Sequence, residues 1–217
     1  MDSILSGDKF FDVLLSDTEI QYKKSPVFQR QLALEKQWSY SICATPITKG
    51  NGVIFGINWG GDGNFQPQQV MPSGQDIVEY HFIKQYRQVL EKLWGLNFET
   101  INFNYTNLCF FRTPNEKYLS TDDYKLSLPL FEKYIRYISP PWILSIGLQN
   151  IKLLTSLAEL GNIKPHFDKE GKFKGYSGQL WDFNIFSVPH PSAHLKTDAR
   201  QTIWEKVSNE MRLVKNL

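Results

Sequence analysis

Residues 50–60 read GNGVIFGINWG, a short apolar run between glycine-rich turns. A run of this length, rich in β-branched and aromatic side chains, predicts a strand that is buried on both faces. Three further apolar runs lie at residues 101–111, 142–147 and 183–188, and stretches with helical spacing separate most of them. Strands that alternate with helices predict a mainly parallel sheet with helices on both faces.

The intervening segments predict the helical layers and a hairpin. Helices are predicted over residues 8–40 (with a break near Ser25-Pro26), 76–95, 121–138, 150–160 and 198–215. Residues 163–180 predict a hairpin that turns at residues 169–172. We expect an α/β protein of one domain over residues 1–217, a three-layer α/β/α sandwich around a central, mainly parallel four-stranded sheet. The N-terminal helices would span residues 8–40 and the core residues 50–217.

Composition excludes several classes of protein. The two cysteines, Cys43 and Cys109, lie far apart and outside any CxxC motif, so a disulfide framework, a zinc knuckle and an iron–sulfur site all lack ligands. No basic segment followed by an apolar one opens the chain, and no apolar run has bilayer-spanning length. We expect a soluble cytoplasmic monomer with no membrane contact, no cofactor and no metal. The net charge of +2 permits a polyanionic partner.

Polar residues follow three of the predicted strands. The loops after Ile57, Tyr105 and Val188 contain Asn58, Asn107 and His190. Each residue by itself is more typical of a turn or cap than of a ligand site. Because ligands of parallel α/β sheets bind beyond the carboxyl ends of the strands, their coincidence at three such ends predicts a polar site there.

These loops carry a resemblance to a known family. Gly56-Ile57-Asn58-Trp59-Gly60 resembles the Gly-Met-Asn-Pro-Gly motif of the single-strand-selective monofunctional uracil-DNA glycosylases, and Asn107-Leu108-Cys109 resembles their Asn-Leu-Cys. His190-Pro191-Ser192 matches the His-Pro-Ser of the wider uracil-DNA glycosylase superfamily. The order of elements also fits over residues 50–215. The resemblance implies a DNA glycosylase that flips a uracil-like base out of single- or double-stranded DNA and hydrolyses its N-glycosidic bond.

The resemblance also implies a role for individual residues. Asn58 would orient the attacking water, and Asn107, whose amide is both donor and acceptor, would pair with the edge of the base. His190, as a neutral imidazole, would stabilise the charge that grows on the departing base. Phe65 is the candidate for stacking on the flipped base, and Trp59 and Gly60 would border its pocket. Asp62 is an alternative to Asn58 for positioning water.

The remaining predicted contacts are with the DNA strand itself. Hydroxyl and ammonium groups would bind phosphates, and an apolar side chain would fill the space that the flipped base leaves in the stack. The predicted phosphate ligands are Ser73, Ser192, Lys49 and Lys196, and the predicted wedge is Leu195.

The chain departs from the family pattern at Trp59, where the family has proline. The glycines over residues 60–63 predict space beside C5 of the base, which favours hydroxymethyluracil or a bulkier pyrimidine over strict uracil selection. An alternative is an antiviral glycosylase that excises a hypermodified base, such as glucosylated hydroxymethylcytosine. A catalytically inactive relative that binds DNA or a protein is a further alternative. The absence of G-x-S-x-G and of a P-loop disfavours an unrelated hydrolase or nucleotide-binding domain.

Overall fold

The computed structural model describes residues 6–61, 63–158, 160–190 and 193–215 of the chain. Within this part the helices are α1 (Gly7–Lys24), α2 (Pro26–Ala33), α3 (His81–Trp94), α4 (Thr121–Ile138), α5 (Leu148–Leu157) and α6 (Thr197–Lys215). The strands are β1 (Ser39–Tyr40), β2 (Gly52–Gly56), β3 (Phe103–Asn107), β4 (Phe111–Arg112), β5 (Ile143–Ile146), β6 (Leu160–Phe167), β7 (Lys174–Leu180) and β8 (Phe183–Val188).

The main sheet of the described residues has six strands in the order β3-β2-β5-β8-β7-β6. The strands β3, β2, β5 and β8 pair in parallel, whereas β7 and β6 pair antiparallel. The α/β class is therefore confirmed, but the predicted count of four strands is wrong. The physical reason is that the predicted hairpin does not stand apart: β7 hydrogen-bonds along the edge of β8 and extends the sheet.

Helices cover both faces of the parallel strands because successive strand residues point to opposite sides. Val53 and Phe55 of β2 belong to a core with residues of α1, α2, α4 and α5, whereas Ile54 between them belongs to a second core with α3 and α6. The continuous apolar run of β2 thus packs against both helical layers at once.

The N-terminal helical prediction extends too far. After α2 the chain turns at Glu35, which has a positive φ of 51°, and β1 pairs antiparallel with β4. The backbone N–H of Trp38 donates to Oε1 of Gln31 at 2.8 Å, so the helix side chain itself holds the extended segment. The partner of β1 is 71 residues or more away in sequence, and no local pattern announces such a pairing.

The structure also describes the cysteines, the potential metal ligands and the apolarity of the helices. Cys43 and Cys109 are both buried and free, and burial raises the pKa of the Cys109 thiol to about 12. Among the described residues, no three His, Cys, Asp or Glu side chains cluster as metal ligands would. No described helix combines the length and apolarity that a bilayer crossing requires.

Candidate active site

The carboxyl ends of β2, β3, β5 and β8 share one edge of the sheet, since these strands run in parallel. A cleft of about 370 Å³ lies at this edge. Its walls come from the segments that follow β2, β5 and β8, and they include Ile57, Gly147, His190 and, from a neighbouring loop, Glu116. From β2 the chain passes first to β3 on one side and then to β5 on the other, so the strand order reverses beside β2. Ligands of doubly wound sheets bind at such a reversal point, and the cleft lies there.

His190 is exposed and lines this cleft. It follows buried Pro189, and its carbonyl oxygen accepts the backbone N–H of Ala193 at 2.9 Å, which closes a tight turn. The backbone N–H of Gly147 donates to the carbonyl of Val188 at 2.9 Å, so the β5–α5 turn supports the end of β8. Gly147 (φ 105°) also approaches closely: a Cβ on it would lie 3.7 Å from Cβ of His190.

Asn58 begins the loop after β2, and its amide has a defined orientation. Its Nδ2 donates to the carbonyl oxygen of Thr113 at 3.1 Å and to the Oγ1 of Thr113 at 2.9 Å. The hydroxyl of Thr113 in turn donates to the carbonyl of Asn115 at 2.8 Å. Because a carbonyl oxygen only accepts, the nitrogen of the Asn58 amide must face Thr113, and Oδ1 is the atom available to a further donor.

Asn107 is the last residue of β3 and pairs with Gly56 in the parallel register. Its side chain lies over Gly56: a Cβ at that glycine would be only 2.4 Å from Oδ1 of Asn107. The residue is buried, yet no described residue hydrogen-bonds its side-chain amide. Gly56 therefore makes room for an amide whose donor and acceptor are both unused at the site edge.

The glycine-rich loop packs on the segment from Arg112 to Asn115. Phe65 is buried in the core, and the guanidinium of Arg112 lies over its ring at 4.2 Å from the centroid. Its predicted role as a stacking platform stays a prediction, and it requires Arg112 to leave that ring face. Trp59 packs edge-on against Tyr105 at 6.2 Å, with its indole N–H buried and without a hydrogen-bond partner.

The loop glycines leave less space than the sequence suggests. A Cβ on Gly61 would lie 2.7 Å from the ring of Phe65, and one on Gly63 would lie 3.2 Å from Pro114. A Cβ on Gly60 would meet only the carbonyl oxygen of Pro114, at 3.7 Å. Two of the predicted openings are therefore filled by the protein's own chain, and glycine is needed there for close packing.

Sequence reasoning missed the N-terminus of α5. Gly147 caps this helix without any side-chain hydrogen bond, and Gly147, Leu148 and Gln149 all line the cleft. Nδ2 of Asn150 donates to Oγ of Ser145 at 3.0 Å and to the carbonyl of Ile146 at 3.2 Å, while its buried Oδ1 has no partner. The available signal was a glycine between a strand and a helix, since a helix N-terminus at that edge offers N–H groups to anions.

The residues predicted to contact the DNA strand lie in different parts of the structure. Leu195 and Lys196 lie in the loop after His190, half-buried and exposed respectively, and exposed Ser73 accepts the backbone N–H of Gln75 away from the cleft lining. Lys49 was predicted wrongly: it precedes β2, at the opposite edge of the sheet, where its Nζ lies over Tyr137 at 4.4 Å. Ser192, Pro191 and Asp62 lie outside the described residues.

Comparison of the chain with protein-family models and with curated proteins gave no match.

Proposed function

We propose that this protein is a monofunctional DNA glycosylase with the three-layer architecture of the uracil-DNA glycosylase superfamily. It flips a uracil-like or C5-modified pyrimidine from DNA and hydrolyses the N-glycosidic bond, which leaves an abasic site. The observation that carries the proposal is that Asn58, Asn107 and His190, identified by motif alone, all lie at the carboxyl edge of the parallel strands.

Asn58 orients the water that attacks C1′ of the sugar. Its Oδ1 accepts from the water, because Thr113 holds the amide nitrogen. An amide is too weak a base to deprotonate water, so bond breaking precedes attack. The electron pair of the C1′–N bond leaves with the base, water adds to C1′, and the proton that water loses ends on the released base.

Asn107 recognises the edge of the flipped base. Its amide offers one acceptor and two donors, which matches the O4 and N3–H pair of uracil in one orientation and a cytosine edge in the other. Burial at the end of β3 makes this pairing selective, since a wrong base leaves the amide unpaired away from bulk water.

His190 stabilises the charge that develops on the base, and the N-terminus of α5 supports it from the same cleft. A ring N–H that donates to O2 of the base acts most strongly when negative charge has formed. The N–H groups of Leu148 and Gln149 at this helix terminus suit a phosphate of the same nucleotide strand.

A second candidate is excision of a hypermodified base, as in antiviral defence. It is favoured by the loop after Phe65, where Gln66 and Gln69 are exposed and offer amides to a sugar substituent. Gln68 between them is not available, since its Nε2 donates to the carbonyl of Cys43 and its Oε1 accepts from Ile42.

The test is release of free base from DNA that contains uracil, hydroxymethyluracil or glucosylated hydroxymethylcytosine. His190→Ala should slow release about 100- to 1000-fold, which is the usual cost of one hydrogen-bond donor to the developing charge. Asn58→Ala should slow it about 100-fold, because the attacking water is no longer positioned, and both variants should keep the fold. Asn209→Ala, the same change at an exposed position of α6, is the matched control and should keep full activity.

The results separate the candidates. Undiminished release by both site variants would overturn the proposal. Release only from glucosylated substrate would select the antiviral function, and DNA binding without release from any substrate would identify an inactive relative. Asn107→Asp should change which base is accepted, and an unchanged substrate profile would show that Asn107 has a structural role.

A further inference from the structure

The β6–β7 hairpin extends beyond the sheet at the same edge as the candidate site. β7 runs antiparallel to β8, with Tyr176 opposite Ser187, and Phe167 pairs with Lys174 at the hairpin end. The turn over residues 168–173 therefore projects past the carboxyl end of β8, next to the loop that begins with His190. Residues 167–174 are called the hairpin arm below.

The hairpin arm has a closed turn. Oδ1 of Asp168 accepts the backbone N–H groups of Lys172 at 2.8 Å and Phe173 at 3.2 Å, and the backbone N–H of Asp168 donates to the carbonyl of Phe173 at 2.9 Å. Gly171 has the positive φ of 71° that such a turn needs. The buried Asp168 carboxylate thus serves the turn, and the exposed side chains of the arm are its lysines, its aromatic rings and Glu170.

The exposed side chains of the arm include two aromatic rings and two lysines that lie near them. Phe167 and Phe173 are 41% and 38% exposed, an unusual state for phenylalanine. Lys169 and Lys174 are exposed, and among the described residues neither forms a salt bridge, whereas Lys172 pairs with Glu170 at 2.8 Å. Each ring therefore has near it a lysine without an acidic partner among the described residues: Phe167 pairs with Lys174 across the hairpin, and Phe173 and Lys169 line the same cleft.

A second cleft, of about 360 Å³, separates the hairpin arm from the loop after His190. Lys169 and Phe173 line one wall, and His194 and Lys196 line the other. Asp198, also in the lining, accepts the backbone N–H of Ala199 at 2.9 Å at the start of α6. His190 and Ala193 thus line the candidate active site, whereas His194 and Lys196 line the cleft beside the arm.

We propose that the hairpin arm binds the DNA strand adjoining the flipped nucleotide. Lys169 and Lys196 bind its phosphates across the cleft, and Phe173 stacks on one of its bases. This combination of cationic groups and an exposed ring is how single strands are held without sequence preference. The inference deepens the proposed function and rests on it for the placement of the flipped nucleotide.

The test compares two double variants by fluorescence anisotropy with an undamaged single-stranded oligonucleotide. Phe173→Ser with Lys169→Gln should weaken binding about tenfold or more, because one stacking and one phosphate contact are lost. The slope of log affinity against log salt concentration is negative, and its magnitude should decrease by about 0.7. Ile20→Ser with Lys24→Gln, an apolar-to-serine and a lysine-to-glutamine change at exposed positions of α1, should leave both quantities unchanged.

Base release then distinguishes this inference from the proposed function. A raised KM with kcat unchanged in the arm variant supports the inference. Unchanged DNA binding by the arm variant overturns it, even if base release by the parent protein establishes the glycosylase. Weakened binding together with no base release from any substrate supports the arm as a DNA surface while the proposed function fails. If an acidic peptide bound as tightly as the oligonucleotide and lost as much affinity in the arm variant, DNA would be overturned as the partner.

Discussion

The four parallel strands and the β6–β7 hairpin belong to one sheet but differ in what covers them. All four residues of β5 are buried between helical layers, whereas in β6 His166 alone among its eight residues is buried. Helix α6 packs against β6 and β7. Rigid packing holds the loops after β2, β5 and β8 at the candidate site, while the exposed hairpin is free to carry a binding surface. Substitutions of the same type should therefore have very different effects in the two regions.

The largest difference is expected between two glycine-to-alanine changes. In Gly52→Ala the new Cβ would lie 2.0 Å from the buried ring of Trp142, so the free energy of unfolding should fall by about 3 kcal/mol. Gly161→Ala in β6 meets nothing within 4 Å and should change it by less than about 1 kcal/mol. Urea unfolding measures both variants, and equal losses would show that the two regions are packed alike.

Gly56→Ala tests whether the parallel strands position the chemistry. The added methyl group would displace the Asn107 amide, since Oδ1 lies 2.4 Å from its position. Base release should fall about 100-fold, as expected for a displaced recognition group. The loss of stability should be smaller than in Gly52→Ala, because a side-chain end yields more easily than a buried ring. Full activity would mean that Asn107 is not needed where it lies.

Loss of one amide side chain should matter more in the parallel region than in the hairpin. Asn150→Ala removes buried hydrogen bonds to Ser145 and Ile146, which should lower the free energy of unfolding by about 1–3 kcal/mol. Gln179→Ala removes an exposed bond from Asn162 at 2.7 Å and should cost at most about 0.5 kcal/mol. Thermal unfolding measures both losses, and a larger loss in Gln179→Ala than in Asn150→Ala would contradict the comparison.

The smallest effect is a pH dependence from His166 in the hairpin. Burial is the main cause that lowers its pKa below the ordinary 6.5, Glu210 opposes the shift, and Lys164 and Lys206 add to it. The unfolded chain then takes up a proton at higher pH than the folded chain. The contribution of the neutral His166 ring to the free energy of unfolding is therefore complete above about pH 6.5. It is lost as the pH falls toward the pKa that His166 has in the folded protein.

A His166→Gln variant checks this prediction. The difference in free energy of unfolding between the parent and the variant should shrink as the pH is lowered from neutral to about 5. Since Nε2 of His166 lies 2.8 Å from Oγ of Ser177, glutamine retains a side chain that can hydrogen-bond there. A difference that stays constant with pH would show that His166 titrates alike in both states.

Local sequence predicted those elements that carry their own boundary signals. Helix α4 begins and ends where it was predicted, because Ser120 and Asp123 form a capping box and Ser139 adopts a left-handed conformation before two prolines. Residues 76–79 were predicted as α-helix but form a 3-10 helix over Gln75–Glu79. Gly95 ends α3 in a left-handed conformation, at the residue where the predicted helix over 76–95 ends.

Long-range pairings escaped prediction because their partners are distant in sequence. The pairing of β1 with β4 joins residues 71 or more positions apart, which no local periodicity marks. The attachment of β7 to β8 escaped prediction for another reason: only Trp181 and Asp182 separate the two strands, and this short turn has neither the glycine nor the asparagine that usually indicates a hairpin. Lys49 is a different case: it precedes β2, so chain direction alone places it at the amino ends of the parallel strands, opposite the candidate site.

By itself the sequence determined the α/β class, the apolar strands and the three polar residues at or just after their carboxyl ends, because hydrophobic periodicity and chain order are local properties. The tertiary structure alone decided that Thr113 orients Asn58, that Asn107 lies over Gly56 and that Arg112 covers Phe65. It also decided that the hairpin arm stands beside the loop of His190. Each of these is a contact between segments far apart in the chain, and only packing brings such segments together.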